Sequence, residues 1–184
     1  GLRYEAALLG LSREEAMNEM KVRYRVMEES VRAGLSGEGL SMRLMDPVAG
    51  GIMEAESRGG LALGGLHTRA AARALAAMHV NASGGLVVAA PTAGSAGTIP
   101  GVAVTLRQEM GLGEEEVARV LFAASCIGLV ISNRATFAAE VAGCQVEIGA
   151  AGAMAAAGVV EYAGGNAAQA CDAAAIFLQN WMGS

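Results

Sequence analysis

The sequence predicts an all-α fold, a single compact domain of helices packed through small side chains. Of its 184 residues 53% are hydrophobic but only 4% aromatic, so alanine, valine and methionine must build the interior at short helix–helix distances. No alternating apolar and polar run extends beyond a few residues, and "GLVVAA" at 85–90 is the only fair strand candidate. Ser, Pro, Asn and Gly also recur where helices start and stop.

The clearest helix begins at Ser12, which forms a capping box with Glu15, and runs to a stop at Gly34. Along it Met17, Met20, Tyr24, Met27 and Val31 recur at spacings of three and four, one apolar stripe, with the methionines read as core filling. A glycine-rich stretch from Gly34 to Gly65 follows, broken by a short helix begun by Asp46 and Pro47, and is expected to hold loops near a site. From His67 an alanine-rich helix, "HTRAAARALAAMHV", leads toward "VVAAPTAGSAGTIPG" at Val87–Gly101. Pro100 fits the first turn of the next helix, which ends at the "GLG" of 111–113. Glu114, Glu115 and Glu116 then complement the dipole of a helix that continues through "VARVLFAASCIGLVIS" as a buried rod. The Gly/Ala spacing of the stretch after Asn133 lets backbones approach, and Asn166 caps a last helix. Of the 31 charged residues 18 fall in the first 60 positions, and only Arg134, Glu140, Glu147, Glu161 and Asp172 follow residue 120. The C-terminal third, and the helices after residue 115 in particular, are therefore expected to be the most buried.

Several functions are excluded. A net charge of −5 with no basic patch argues against nucleic acid. The apolar run at 120–131 is too short for a bilayer, and 148–160 is mostly Ala and Gly, so no membrane insertion is expected. Residues 1–20 carry several acids and no apolar signal core, so the expected location is cytoplasmic. Cys126, Cys144 and Cys171 are odd in number and without framework spacing, and are read as thiols. The single lysine, Lys21, rules out a Walker loop and a buried Schiff-base lysine. His67 and His79 belong to no zinc pattern, and no nucleophile elbow occurs. What remains is the loop, where successive N–H groups from Gly94 through Ser95, Ala96 and Gly97 to Thr98, ahead of a helix start, suit an anion such as a carboxylate. The same residues also suit a tight turn between two buried helices.

"APTAGSAGTIPG", followed some forty residues on by "GCQVEIGAAGAMAAAGVVEYAGG", resembles the alpha chain of the iron–sulfur-dependent L-serine dehydratases, or L-serine ammonia-lyases. The resemblance covers about residues 60–183 well and the N-terminal helix more loosely. It implies a largely helical catalytic domain over residues 1–184 and a [4Fe–4S] cluster on three cysteines, the first at Cys144 in "GCQ". The cluster's open iron would act as a Lewis acid on the substrate hydroxyl, giving a 2-oxo acid, usable for gluconeogenesis, and ammonia. Thr92, Gly94, Ser95, Ala96, Gly97, Thr98 and Asn133 would contact the substrate, a small β-hydroxy amino acid, and the base would be Glu147 or His67. The resemblance further implies a beta chain or beta domain as partner, and the Ala/Gly faces imply self-association, a dimer first.

Two departures stand beside the match. The family's other ligand cysteines follow an "N-x-x-G" helix end, where this sequence has "NWMGS", so truncation is expected. Where many members read "TGLTGGD" and "NASISG", this chain reads "MRLMDPVAGG" and "NRATFA", which leaves open a related cysteine desulfidase, a dehydratase of a bulkier hydroxy acid, or a cluster-free helical binding scaffold.

Overall fold

The computed structural model describes residues 1–42 and 44–183; Arg43 of "MRLMDPVAGG" and Ser184 of "NWMGS" lie outside the described residues. Among the described residues nine α-helices and one 3₁₀ turn are formed and no strand, as the composition predicts. They are α1 (Leu2–Leu9), α2 (Arg13–Ser36), α3 (Ala49–Ser57), α4 (Leu66–Ala82), the turn Ala93–Ser95, α5 (Thr98–Met110), α6 (Glu114–Arg134), α7 (Ala139–Ala142), α8 (Cys144–Tyr162) and α9 (Ala167–Trp181). None of these helices is long and apolar enough to cross a membrane.

The caps form as the local sequence dictates. Ser12 Oγ accepts the Glu15 amide at 3.1 Å while the Ser12 amide donates to Glu15 Oε2 at 2.8 Å, which satisfies two of the four amides a helix start leaves bare. Asn166 and Gln169 repeat the arrangement on α9, and the Gly113 amide donates to Glu116 Oε2 at 2.7 Å on α6. Gly34 does not end α2. It lies two residues inside the helix end, where a Cβ would overlap the Ala76 carbonyl: this glycine lets α2 and α4 touch, and Gly37, in the left-handed conformation, ends the helix instead. The short helix expected at Asp46 starts at Ala49, and the candidate strand at 85–90 forms neither strand nor helix.

α5 and α8 occupy the middle. α5 packs between α4 and α8, while α8 is flanked by α6 and α9, and α2 closes the other side against α4 and α6. One core joins Tyr24, Met27 and Val31 of α2 to Val104 of α5, Val117 and Leu121 of α6 and Met154 of α8. Burying such side chains supplies about 1.5–3 kcal/mol each. Tyr24 is fully enclosed, its hydroxyl donating to Glu28 Oε1 at 2.9 Å and its ring facing the Arg107 guanidinium at 5.9 Å, and burial pushes its phenol well above the usual range. The expectation that the charge-poor helices after residue 115 are the most buried holds for α8 and the first half of α6, though α5, ahead of them, is buried as densely. α9 buries only Ala174 and leaves Ile176 exposed, because it covers α8 as an outer layer. Charge depletion marks apolar surface and does not say which apolar surface is covered.

A buried polar network ties α3, α4 and α5. Arg73, only 4% exposed, donates to Thr105 Oγ1 (3.0 Å), Gln108 Oε1 (3.2 Å) and Glu109 Oε1 (2.7 Å). Arg69 bridges the same Glu109 oxygen (3.0 Å) to Glu56 (2.8 Å), which also accepts the Gly65 amide. These bonds hold α5 in register on α4 and so place the loop between them.

Candidate functional site

The loop between α4 and α5 is pinned at both ends. Asn81, near the C-terminus of α4, donates from Nδ2 to the Ala93 carbonyl at 2.9 Å. Gly97 lies so close to α4 that a Cβ would meet the Ala74 carbonyl. Between these anchors the chain makes one 3₁₀ turn. It spends the Ser95 amide on the Thr92 carbonyl and the Ala96 amide on that of Ala93. The amides of Gly94, Gly97 and Thr98 have no acceptor among the described residues, and the last two sit at the positive end of the α5 dipole.

The expected run of bare amides is therefore interrupted: three of the five are unpaired among the described residues and two close the turn. Ala96 is fully buried and contributes packing. The hydroxyls divide similarly. Thr92 Oγ1 and Ser95 Oγ bond each other at 3.0 Å, with Ser95 buried, whereas the Thr98 hydroxyl is half-buried and unbonded among the described residues.

Glu147 faces this loop. It lies in the first turn of α8, a favourable place for an acid at a helix N-terminus, and is half-buried. A Cβ built on Gly94 would lie 2.5 Å from Glu147 Oε2, so carboxylate and loop are in contact with only the missing side chain between them. Cys144, exposed, opens the same helix one turn earlier, on the same side. Gln145 braces that helix start, donating to the Ala142 carbonyl at 3.0 Å and accepting the Gly183 amide at 2.9 Å.

The two candidate bases are separated by the fold. His67 is exposed in the first turn of α4, whereas the loop hangs from the far end of that helix at Asn81, fourteen residues and about 21 Å along the axis. Asn133 is exposed in the last turn of α6 and its side chain makes no hydrogen bond among the described residues. Asn81 and Gln145, which hold the loop and the start of α8, were not among the candidates. The one local signal for Asn81 is a polar residue ending an alanine-rich helix.

A cluster finds one thiol here. Cys126 and Cys171 line a different cavity of about 400 Å³ with Phe122 and Arg119, and among the described residues no three His, Cys, Asp or Glu side chains converge as metal ligands. The residues present therefore do not hold a [4Fe–4S] cluster by themselves.

The family model described as serine dehydratase alpha chain matches residues 2–184. The probable L-serine dehydratase alpha chain of Bacillus subtilis (strain 168) is 38% identical over 175 residues, 94% of this chain and 57% of the relative. The L-serine dehydratase alpha chain of Peptoniphilus asaccharolyticus is 35% identical over 171 residues, 92% and 59% of the two chains. That of Latilactobacillus sakei, also described as probable, is 44% identical over 110 residues, 60% and 53%. The chain spans somewhat more than half the length of these relatives.

Proposed function

This chain belongs to the serine dehydratase alpha chain family, and from that premise we propose that it carries the substrate-anchoring and proton-transfer half of an L-serine ammonia-lyase. The observation that carries the reading is the contact of the Glu147 carboxylate with Gly94, one of the three loop residues whose amides are unpaired among the described residues.

The amides of Gly94, Gly97 and Thr98, with the Thr98 hydroxyl, receive the substrate carboxylate; charge-assisted bonds to a helix start are the strong kind. The substrate is thereby oriented with Cα toward Glu147. Glu147 takes the Cα proton as the Cα–Cβ double bond forms and the Cβ–O bond breaks; the departing oxygen leaves as water on gaining a proton. The enamine tautomerises and hydrolyses to a 2-oxo acid and ammonia. Positioned proton transfer of this kind contributes about 10²–10⁴-fold.

A [4Fe–4S] cluster of the kind the resemblance implies would supply Lewis acidity toward the hydroxyl; Cys144 would hold it through one thiolate, with the remaining ligands from outside the described residues. That the B. subtilis and P. asaccharolyticus relatives are described as alpha chains supports a beta chain or beta domain as partner. A cytoplasmic, dimeric enzyme completes the reading.

The test is Glu147→Gln in the full-length protein with its cofactor, following L-serine-dependent pyruvate and ammonia release. We expect kcat to fall at least about 100-fold with KM changed little. His67→Gln should stay within about twofold, since surface substitutions remote from a site rarely matter. Normal turnover by the Glu147 variant together with loss in the His67 variant would overturn the assignment.

A further inference from the structure

We propose that the cleft between the Val88–Pro91 segment and α6 is a second ligand site, for a small free α-amino acid with an apolar side chain. The cleft holds about 380 Å³, within the range of about 300–1,000 Å³ usual for small-molecule pockets. Much of its lining is apolar and adaptable: Met27, Leu121, Met154, Phe137 and Pro91.

Opposite charges accompany this apolar floor. Arg23 of α2 and Glu5 of α1 both line the cleft, a guanidinium for a carboxylate and a carboxylate for an ammonium. Glu5 makes no side-chain bond among the described residues. Arg23 pairs only with Glu19 on its own helix, at 3.0 Å and half-exposed, an interaction of little worth that a ligand can replace. The third feature is the wall itself. Val88, Ala89 and Ala90 line one side of the cleft with backbone N–H and C=O groups that no described residue pairs. Apolar body, opposite charges and free backbone groups together match a zwitterion with a hydrophobic side chain. An extended peptide would need a longer edge than the four residues that line the cleft.

The Met154 end of the cleft lies away from Glu147. Met154 lies seven residues beyond Glu147 on α8, about 10 Å along the helix. Yet Pro91 and Ile99, which wall the cleft, bracket the loop on either side, so an occupant bears on the segment that carries Gly94 and Thr98.

Isothermal titration of the full-length protein with L-leucine tests this. We expect saturable binding at millimolar or lower concentration, weaker by at least about tenfold for 4-methylpentanoate, which lacks the ammonium, and for 3-methylbutylamine, which lacks the carboxylate. Arg23→Ala and Glu5→Ala, both at the surface, should each weaken L-leucine by about the same factor while leaving thermal unfolding unchanged. L-Serine should not compete. Absence of saturable L-leucine binding, equal binding of the two truncated analogues, displacement by L-serine, or occupancy by a polypeptide in place of the amino acid would each overturn the proposal.

Discussion

Replacing Gly94 by alanine separates the role of Glu147 from the stability of the loop. Gly94 is exposed and outside the left-handed region, so alanine can adopt its backbone without strain. The three atoms nearest a Cβ there all belong to Glu147, with Oε2 at 2.5 Å, whereas ordinary contact begins at 3.4 Å. The carboxylate must therefore retreat by about 1 Å, and a misplacement of that size costs about 100-fold in rate, or about 2.7 kcal/mol of barrier. Stability should move the other way. Alanine restricts the unfolded chain and contributes about 0.4–1 kcal/mol, which raises Tm by about 1–4 °C in a protein of this size. The assay is L-serine turnover and thermal unfolding on the same full-length preparation, with Glu147→Gln and the double variant alongside. If Gly94→Ala acts through Glu147, it costs little more in the Glu147→Gln background. An unchanged kcat, a lowered Tm, or fully additive effects in the double variant would refute the reasoning.

Three further outcomes follow from the packing and the charges. Gly34→Ala should destabilise by about 1–3 kcal/mol in urea unfolding, because its Cβ meets the Ala76 backbone, which cannot swing away; an unchanged midpoint would mean that α2 and α4 do not touch there. Arg73→Met should cost about 2–3 kcal/mol at neutral pH, less than a fully buried pair because Glu109 keeps Arg69. The Arg73 hydrogen bond holds Glu109 below the usual carboxylate range, so its contribution is present at neutral pH and lost as pH falls through that depressed value; the variant should accordingly show a shallower loss of stability in acid. His79, 4% exposed with neither ring nitrogen bonded among the described residues, has its pKa lowered by burial. The folded state thus binds fewer protons than the unfolded, and stability falls as pH drops below the usual histidine value. His79→Leu should stabilise by about 1–2 kcal/mol, with a gain that grows between pH 7 and 5, and a pH-independent difference would contradict this.

The caps were legible in the sequence because their bonds close within three or four residues. Ser12 with Glu15, Asn166 with Gln169, and the Gly111–Gly113 stop need no knowledge of the rest of the chain. So was the all-α class, since a chain so rich in alanine and so poor in strand pattern has few other ways to bury its surface. The loop's place before a helix start was legible too, and with it the bare amides of Gly97 and Thr98. α1 was not: its N-cap Gly1 offers no side-chain bond, and the helix is held by Ala6, which packs with Phe122 of α6, 116 positions away. Gly34 looked like a helix stop because local rules cannot tell a glycine that frees the backbone from one that admits a neighbour. Likewise Glu147 and His67 were equal in one dimension, each a polar residue at a helix start. Only the tertiary structure shows which of them faces the loop, because the loop is carried on the C-terminal end of α4 by Asn81, against the first turn of α8 and far from the first turn of α4. Which helix ends meet is set by the packing of α5 between α4 and α8, a sum of long-range contacts that no local pattern encodes.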